Sequence, residues 1–346
     1  MKIDKDCSKV LNINRLIAIF FVVVLHSTPS VTEKNILSYS SLDWICSFLR
    51  CTILHVPVYV FFFISGYLTF RRRRLFIDNI TNKGKTLLVP YLLWNTIWIF
   101  VFAICSFFLN NSQIHAPNFP PITDWTIRNL FDAYFGYGNI SREPFLYPFW
   151  FLRDLIVLNL FVVPLQYFIY KFPIFISLCS IVLLFFNPNL GIIGANSISL
   201  FVLGGVFSSL NLQISCFKKI PFWISLLSFA TSGLVELFLP NIRIFTLITT
   251  FIGVLFFFKS SWLILSSRFC GFMLSLVPYC FMIYATHEYL LSFLKLCIDL
   301  INPLINQSFV VRIFILPIVV VLLCILAGIT LAKFFPSFFK ILTGGR

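Results

Sequence analysis

Apolar runs of about 20 residues recur along the whole chain, and this feature constrains the fold most strongly. A helix that crosses the hydrocarbon core of a bilayer needs about 20 mostly apolar residues. Only 11% of the residues are charged, against about a quarter in soluble domains. The sequence therefore predicts an all-α fold, a polytopic integral membrane helical bundle with about ten transmembrane helices. The predicted spans are 14–30, 44–70, 86–109, 149–169, 173–187, 194–210, 221–239, 243–258, 272–297 and 309–335.

The distribution of Lys and Arg predicts the orientation of these spans. If the N-terminus is placed in the cytoplasm and the spans alternate, seventeen of the 26 basic residues fall on the cytoplasmic side. Six fall on the outer side, and three lie in or at spans. Because cytoplasmic loops carry an excess of Lys and Arg, both termini are predicted to be cytoplasmic. The formal net charge of +14 is assigned to loop orientation and contact with anionic bilayer lipid, not to nucleic acid.

The chain is interpreted as a single membrane domain, 1–346, with no internal repeat. Its longest connection, 110–148, is predicted to be extracytoplasmic and partly ordered by its aromatic residues. The N-terminal apolar run has no small-x-small cleavage site after it, so it is interpreted as a retained first span. The ten cysteines are scattered, without Cys-x-x-Cys or a metal-type cluster with His, so no metal is predicted.

Arg15 and His26 share the first span, with ten residues between them. Eleven steps of helix separate the two positions by roughly 16 Å along the axis. Ionisable groups inside a membrane are costly and are kept mainly where they function. His26 is a candidate general base, or it hydrogen-bonds a neighbouring helix. Arg15 is a candidate ligand for the phosphates of a cytoplasmic donor, or an interfacial residue that extends to the membrane surface.

The second span carries basic residues at both ends. Arg50 and His55 fall in its outer half and are candidate acceptor-binding residues. Ser65 and Gly66 are predicted to allow close helix approach near the inner face. Four consecutive arginines follow and either anchor the topology or bind a polyphosphate donor, the group being Arg71, Arg72, Arg73 and Arg74.

Two later spans add outer-sided candidates. Trp150, Arg153 and Asp154 open the fourth span as candidate substrate-binding residues. Trp150 is equally interpretable as an interfacial aromatic residue, and Arg153 with Asp154 as a structural ion pair. His287 and Glu288 lie in the ninth span at an outer depth similar to that of His26, and are predicted to be catalytic.

Glu236 in the seventh span is a weaker candidate of the same kind. The basic candidates of the inner side suit a phosphate-rich donor, whereas the outer group suits proton transfer facing an outer acceptor. The absence of Gly-x-Ser-x-Gly spacing argues against a serine hydrolase.

Taken together, these elements resemble the family-3 membrane acyltransferases of the polysaccharide O-acetyltransferase type. The resemblance is carried by Arg15-x10-His26, the Val56-Pro57 to Tyr67 stretch ending in Phe-Ile-Ser-Gly-Tyr, Trp150-Phe-Leu-Arg-Asp154, and Tyr284-x-x-His287. Their order and the ten-span layout cover essentially the whole chain.

The resemblance implies O-acyl transfer, usually of acetyl from acetyl-CoA, to a hydroxyl of a cell-surface or exported glycan or lipid-linked saccharide. By motif match, His26 is the catalytic histidine and Arg15 handles the donor. The resemblance also places the protein in the bacterial inner (cytoplasmic) membrane. The alternatives are a transporter or flippase for a glycan or lipid-linked intermediate, and a non-catalytic membrane sensor. The acceptor sugar, the acyl group (acetyl or succinyl), a covalent acyl-histidine step and the oligomeric state stay open.

Overall fold

The computed structural model describes residues 4–29, 40–71, 81–109, 119–136, 143–240, 242–303, 305 and 308–345. Over these residues the chain is a bundle of helices with one short β-hairpin, as the all-α prediction requires. The helices are α1 Lys5–Ser27, α2 Ser41–Leu49, α3 Val56–Arg71, α4 Val89–Leu109, α5 Ile127–Phe135, α6 Trp150–Leu160, α7 Val162–Lys171, α8 Pro173–Phe186, α9 Ala195–Ser209, α10 Phe222–Phe238, α11 Arg243–Leu265, α12 Cys270–Leu276, α13 Cys280–Ile301, α14 Leu316–Phe334 and α15 Pro336–Thr343. The hairpin strands are β1 Asn189–Leu190 and β2 Ile193–Gly194, paired antiparallel between α8 and α9.

Within the described ranges, six helical stretches are long and apolar enough to cross a membrane. They correspond to the predicted spans at 14–30, 44–70, 86–109, 243–258, 272–297 and 309–335. A seventh crossing is obtained if the bent pair α6 and α7 is counted as one span. The three remaining predicted spans fold as apolar helices of 14, 15 and 17 residues. These are shorter than the roughly 20 residues of a full perpendicular crossing, so the count of ten stays a prediction.

The bend between α6 and α7 is 70° and has a local cause. Pro164 lies in the first turn of α7. Proline has no N–H to donate to the carbonyl of Leu160, and its ring clashes with that carbonyl. The helix therefore breaks at Phe161, whose ψ of 15° is no longer helical.

The outer surface of the bundle is apolar, which is the reverse of a soluble protein. Large hydrophobic side chains point outward with 70% or more of their surface exposed, among them Phe107, Phe108, Ile174, Trp223 and Leu300. Such surface is stable only against lipid. Together with the long apolar helices, it identifies the chain as an integral membrane protein.

Two glycines set the closest helix crossing in the bundle, between α3 and α9. A Cβ on Gly66 would lie 1.8 Å from the carbonyl oxygen of Phe201, and one on Gly204 would lie 2.1 Å from that of Phe63. The two backbones are therefore in direct contact, as small residues permit in membranes. The predicted close approach at Gly66 is confirmed.

The connection 110–148 contains ordered structure at its described parts, 119–136 and 143–148. Helix α5 begins with a capping box of Thr126 and Asn129 and ends at Gly136 in the left-handed region, with φ 61°. Tyr134 holds it to α4, because its hydroxyl lies 2.7 Å from the hydroxyl of Thr96 and its carbonyl accepts a hydrogen bond from Tyr91. Partial ordering of this connection is confirmed for these residues.

The segment 145–149 is buried inside the bundle and leads directly into α6. Phe145, Leu146 and Phe149 are at most 1% exposed. Asn95 accepts the Leu146 N–H at 3.0 Å, and the hydroxyls of Tyr284 and Tyr289 donate to the carbonyls of Pro148 and Phe145. These buried hydrogen bonds fix the segment, and with it the side chains that it carries.

Candidate active site

His26 occupies the last turn of α1, the central helix of the bundle. Its imidazole meets side chains from two other elements, the fixed segment 145–149 and helix α13. The hydroxyl of Tyr147 lies 2.6 Å from His26 Nδ1, and a carboxylate oxygen of Glu288 lies 3.2 Å from the same nitrogen. The His287 ring centroid is 5.3 Å from that of His26. We call these four residues the His26 cluster.

The backbone of α13 fixes the tautomer of His287. Its Nδ1 lies 2.9 Å from the carbonyl oxygens of both Ile283 and Tyr284, and a carbonyl oxygen only accepts hydrogen bonds. Nδ1 therefore carries the proton and donates it. The fully buried Nε2 is left as an acceptor without a partner among the described residues, beside His26. Neutral His287 can accept a proton or a hydrogen bond there, but it cannot donate to an oxyanion.

A cavity of about 490 Å³ joins Arg15 and His26 of α1. We call it the central cavity. Arg15 and His26 both line it, with Ile19 and Val22 on the same helix between them. Its volume is that of a small-molecule site, and its walls are mostly apolar. The wall residues include Val58, Phe61, Trp150, Phe151, Leu155 and Tyr284.

The Arg15 end of the central cavity is polar and basic. Asn12, Lys83 and Thr86 join Arg15 in its lining. Arg15 forms no ion pair with any carboxylate among the described residues. A guanidinium that faces a cavity inside a membrane protein without a counter-ion is suited to receive an anion.

Two cations stabilise the end of α1 directly beyond His26. The Lys295 ammonium donates to the His26 carbonyl at 2.8 Å. Arg50 donates to the carbonyls of Thr28 and Pro29 at 2.6 and 3.0 Å. Cations at a helix C-terminus satisfy its last carbonyls and interact favourably with its dipole. Arg50, predicted to bind substrate, thus lies close to the site and holds the helix that carries His26.

His55 lies in a different polar group, which we call the His55 cluster. Its Nε2 is 3.4 Å from the Thr250 hydroxyl, and its ring packs edge-on against Tyr59. Asn196 donates to the Tyr59 hydroxyl at 3.2 Å, and Glu236 interacts electrostatically with Tyr59. Neither His55 nor Glu236 lines the central cavity.

The remaining predicted site residues differ in where they lie. Trp150 lines the central cavity, and Arg153 and Asp154 form a buried ion pair at 3.1 Å. Arg71 is buried against the Tyr67 ring and does not line the central cavity. Arg72, Arg73 and Arg74 lie outside the described residues.

The fold also brings His26 together with the adjacent residues His287 and Glu288, three side chains that can bind a metal ion. One ligating atom each from His26, His287 and Glu288 lie within 4.8 Å of one another. Two imidazoles and a carboxylate can hold a divalent ion such as zinc. The prediction of no metal rested on sequence spacing, and it stays a prediction.

Tyr147, Lys83 and Lys295 are site residues that sequence reasoning did not single out. Tyr147 belongs to a loop in sequence and is brought to His26 only by the fold. Its one sequence signal is its place directly before the Pro148-to-Asp154 stretch, where an aromatic residue is also typical of a membrane interface.

Comparison with known proteins gives the family. The family 3 acyltransferase domain matches residues 9–329. Succinoglycan biosynthesis protein ExoH of Rhizobium meliloti is 28% identical over 159 residues. That alignment covers 44% of this chain and 41% of the relative, so less than half of either is compared. No solved structure gives a significant match. The chain belongs to the family 3 acyltransferases.

Proposed function

We propose that the protein is an integral membrane O-acyltransferase that moves an acyl group, acetyl by preference, from cytoplasmic acyl-CoA to a hydroxyl of a cell-surface or exported glycan. The observation that carries the proposal is the central cavity. It connects Arg15, which has no carboxylate partner among the described residues, to a histidine that has a tyrosine hydroxyl and a carboxylate beside it. A glycan acceptor is further supported by the succinoglycan relative.

The charge asymmetry of the sequence supports the direction of transfer. Seventeen basic residues lie in segments on the Arg15 side and six on the His26 side, which favours a cytoplasmic Arg15 end and cytoplasmic termini. The bacterial inner membrane then follows from the resemblance to O-acetyltransferases of exported glycans. Lys83 and Arg15 would face the phosphates of the donor. The flexible pantetheine arm would extend along the apolar walls toward His26.

His26 would act as the general base. The Glu288 carboxylate, 3.2 Å from Nδ1, favours the tautomer that carries its proton on Nδ1. Nε2, which lies 3.3 Å from the Tyr147 hydroxyl, is then the base. It removes the hydroxyl proton as the sugar oxygen attacks the thioester carbonyl carbon. The carbon–sulfur bond then breaks, and the proton passes from His26 to the CoA thiolate, which leaves as the thiol. In the alternative, His26 Nε2 itself attacks the thioester carbonyl carbon and the carbon–sulfur bond breaks to give acyl-His26 and the CoA thiolate. The sugar hydroxyl then attacks the acyl carbon, the carbon–nitrogen bond to His26 breaks, and the hydroxyl proton passes to the thiolate.

The cavity lining favours an uncharged acyl group. Among the described lining residues the Lys and Arg side chains are Arg15 and Lys83, both at the end remote from His26. Near His26 the walls are Val22, Val58 and Tyr284. Lys295 and Arg50 lie beyond His26, but they are bonded to carbonyls at the end of α1 and do not line the central cavity. A succinyl carboxylate at that end would be desolvated without a cation among the described lining residues, which is costly. Acetyl therefore fits this end better than succinyl does.

The test is mass spectrometry of surface glycans from cells lacking the gene, complemented with wild type, His26→Ala or His55→Ala. We expect an acetyl-sized mass gain with wild type and His55→Ala and none with His26→Ala. Insertion of all three proteins is checked by membrane fractionation. Unchanged glycan mass with altered glycan export would instead support the transporter, and normal acylation by His26→Ala would overturn the proposal.

A further inference from the structure

A second cavity, of about 400 Å³, opens beside the central cavity. It lies between the start of α6, the hairpin and the start of α9, and we call it the hairpin cleft. About half of its lining is polar, whereas the lining of the central cavity is mostly apolar. The lining side chains include Glu143, Trp150, Arg153, Asn187 and Asn189.

A buried ion pair builds the floor of the hairpin cleft. The Arg153 guanidinium donates to Asp154 at 3.1 Å, to the Ile192 carbonyl at 2.6 Å and to the Phe135 carbonyl at 3.2 Å. Asp154 is fully buried, and its other oxygen accepts from Gly194 N–H and the Ser197 hydroxyl. These bonds join the hairpin to α6 and α9, so the cleft is preformed.

Trp150 is shared by the hairpin cleft and the central cavity. It lines both cavities. A ligand held in the cleft against Trp150 would therefore adjoin the central cavity, which His26 also lines.

We infer that the hairpin cleft binds the sugar ring of the acceptor, and that the saccharide it takes is neutral. The inference rests on the proposed function and adds where the acceptor binds and what charge it carries. The Trp150 ring offers an apolar face to the C–H face of a sugar, while the surrounding amides and carboxylate address its hydroxyls. The volume of the cleft suits a sugar of one or two rings.

The charges around the cleft favour a neutral ligand over an anionic one. The cation of Arg153 is already bound to Asp154 and to two carbonyls. The other carboxyl is Glu143, which is half-buried. Burial raises its pKa, and the nearby Arg153 guanidinium opposes that rise and favours the ionised form. A uronic acid or phosphate would meet this carboxyl and no uncommitted cation among the described lining residues. Neutral hydroxyls would donate to it in charge-assisted hydrogen bonds.

Two substitutions test the cleft without touching His26 or the central cavity. Asn187 has a φ of 42°, so Asn187→Gly removes its side chain while keeping a backbone that glycine adopts readily. Asn211, at φ 56° and outside both cavities, gives the matched control Asn211→Gly. Glu143→Gln removes the charge of the cleft and keeps its shape. Its control is Asp124→Asn, an exposed carboxyl outside the cleft.

The experiment measures acyl transfer by the purified full chain in lipid vesicles, with neutral oligosaccharides and matched uronic-acid oligosaccharides as acceptors. Donor binding is measured separately by calorimetry with acetyl-CoA. We expect each cleft variant to raise the KM for the neutral acceptor about tenfold, the size of one hydrogen bond. Donor affinity and both controls should match wild type. Glu143→Gln should also lower the ratio of the transfer rate with neutral acceptors to the rate with anionic acceptors by about tenfold.

Wild-type KM in both cleft variants would overturn the acceptor assignment and leave the proposed function standing. A wild-type preference for the uronic-acid acceptor would overturn the neutral-sugar assignment. Absence of transfer by wild type itself, with donor binding intact, would instead contradict the proposed function. If Asn187→Gly lowers the thermal unfolding temperature, Glu143→Gln decides the question, because it leaves the backbone unchanged.

Discussion

The His26 cluster and the His55 cluster share a composition but differ in access. In each, a histidine packs edge-on against a tyrosine, with ring centroids 5.2 Å apart for His26 and Tyr147 and 4.9 Å apart for His55 and Tyr59. Each has a glutamate nearby. Only the His26 imidazole also lines the central cavity. A buried histidine with polar partners is therefore not in itself a site, and a path for substrate to reach it makes the difference.

The contacts of the two imidazoles differ as well. A tyrosine hydroxyl lies 2.6 Å from His26 Nδ1, so the proton on that ring is controlled by its neighbours. By contrast, Nδ1 of His55 has no hydrogen-bond partner among the described residues, and its Nε2 lies 3.4 Å from the Thr250 hydroxyl. We therefore assign proton transfer to the first cluster and helix packing to the second, which matched substitutions can test.

The largest expected effect is the loss of the general base. His26→Ala should lower kcat by about 10²- to 10⁴-fold, the usual contribution of a positioned base. His55→Ala should retain transfer per folded molecule within about threefold, while unfolding at a lower temperature because it leaves Thr250 without its partner. Transfer rates and thermal unfolding of the purified proteins measure both. Equal losses of transfer in the two variants would remove the distinction between the clusters.

A bound metal would give the same loss for His26→Ala, and chelation separates the two explanations. Because His26, His287 and Glu288 could together hold an ion, wild type is incubated with a strong chelator before assay. We expect unchanged activity if His26 acts as a base. A loss that added zinc restores would assign a metal to the His26 cluster and replace the proton-transfer mechanism.

The next effect concerns the carboxylate beside each histidine. Glu288→Gln keeps the size of the side chain but removes the charge that would stabilise protonated His26 in the transition state. We expect kcat to fall by about 10²-fold, with the donor KM unchanged. Glu236→Gln, the matched change in the His55 cluster, should alter kcat by no more than a few fold. A rise in KM with unchanged kcat for Glu288→Gln would place Glu288 in binding instead.

Arg15 also distinguishes the two clusters, because it lines the same cavity as His26 and His55 does not line that cavity. Arg15→Gln should raise the KM for acyl-CoA by about 10- to 100-fold, the range for a charged hydrogen bond to phosphate. Arg15→Lys keeps the charge and should recover part of that loss. Binding of acyl-CoA by calorimetry provides the measurement. Unchanged donor affinity in Arg15→Gln would show that the donor phosphates bind elsewhere.

The sequence predicts how deep in the membrane each site residue lies, but it does not predict which residues lie beside one another at that depth. Arg15 and His26 are correctly predicted to lie on one helix, because their spacing on a continuous apolar run fixes both. The outer depth of His287 brings it to the level of His26, and the structure places the two rings side by side. His55 has a similar predicted depth, yet it belongs to another cluster. Depth follows from position along a span, whereas lateral neighbours depend on helix packing that a single sequence does not encode locally.

The segments that connect the helices are the second part of the site that the sequence does not predict. Tyr147 reaches His26 because the segment 145–149 is drawn into the bundle by Asn95, Tyr284 and Tyr289, each on a different part of the chain from Tyr147. No periodicity marks such a segment, since it has neither helical nor strand repeats. The helices around it were predictable from their apolar runs, and the short helix α6 was predictable up to the bend that Pro164 causes.

The smallest expected effect tests that segment through the tyrosine of each cluster. Tyr147→Phe removes one hydroxyl from His26 Nδ1 and leaves the ring packing intact, so kcat should fall about tenfold, the equivalent of one hydrogen bond. Tyr59→Phe removes a hydroxyl that Asn196 donates to, which should lower stability and leave kcat per folded molecule near wild type. If both variants lost activity only in proportion to folded protein, Tyr147 would be a packing residue like Tyr59. Glu288 alone would then orient His26, and the two clusters would differ in access to the cavity and not in the control of the histidine proton.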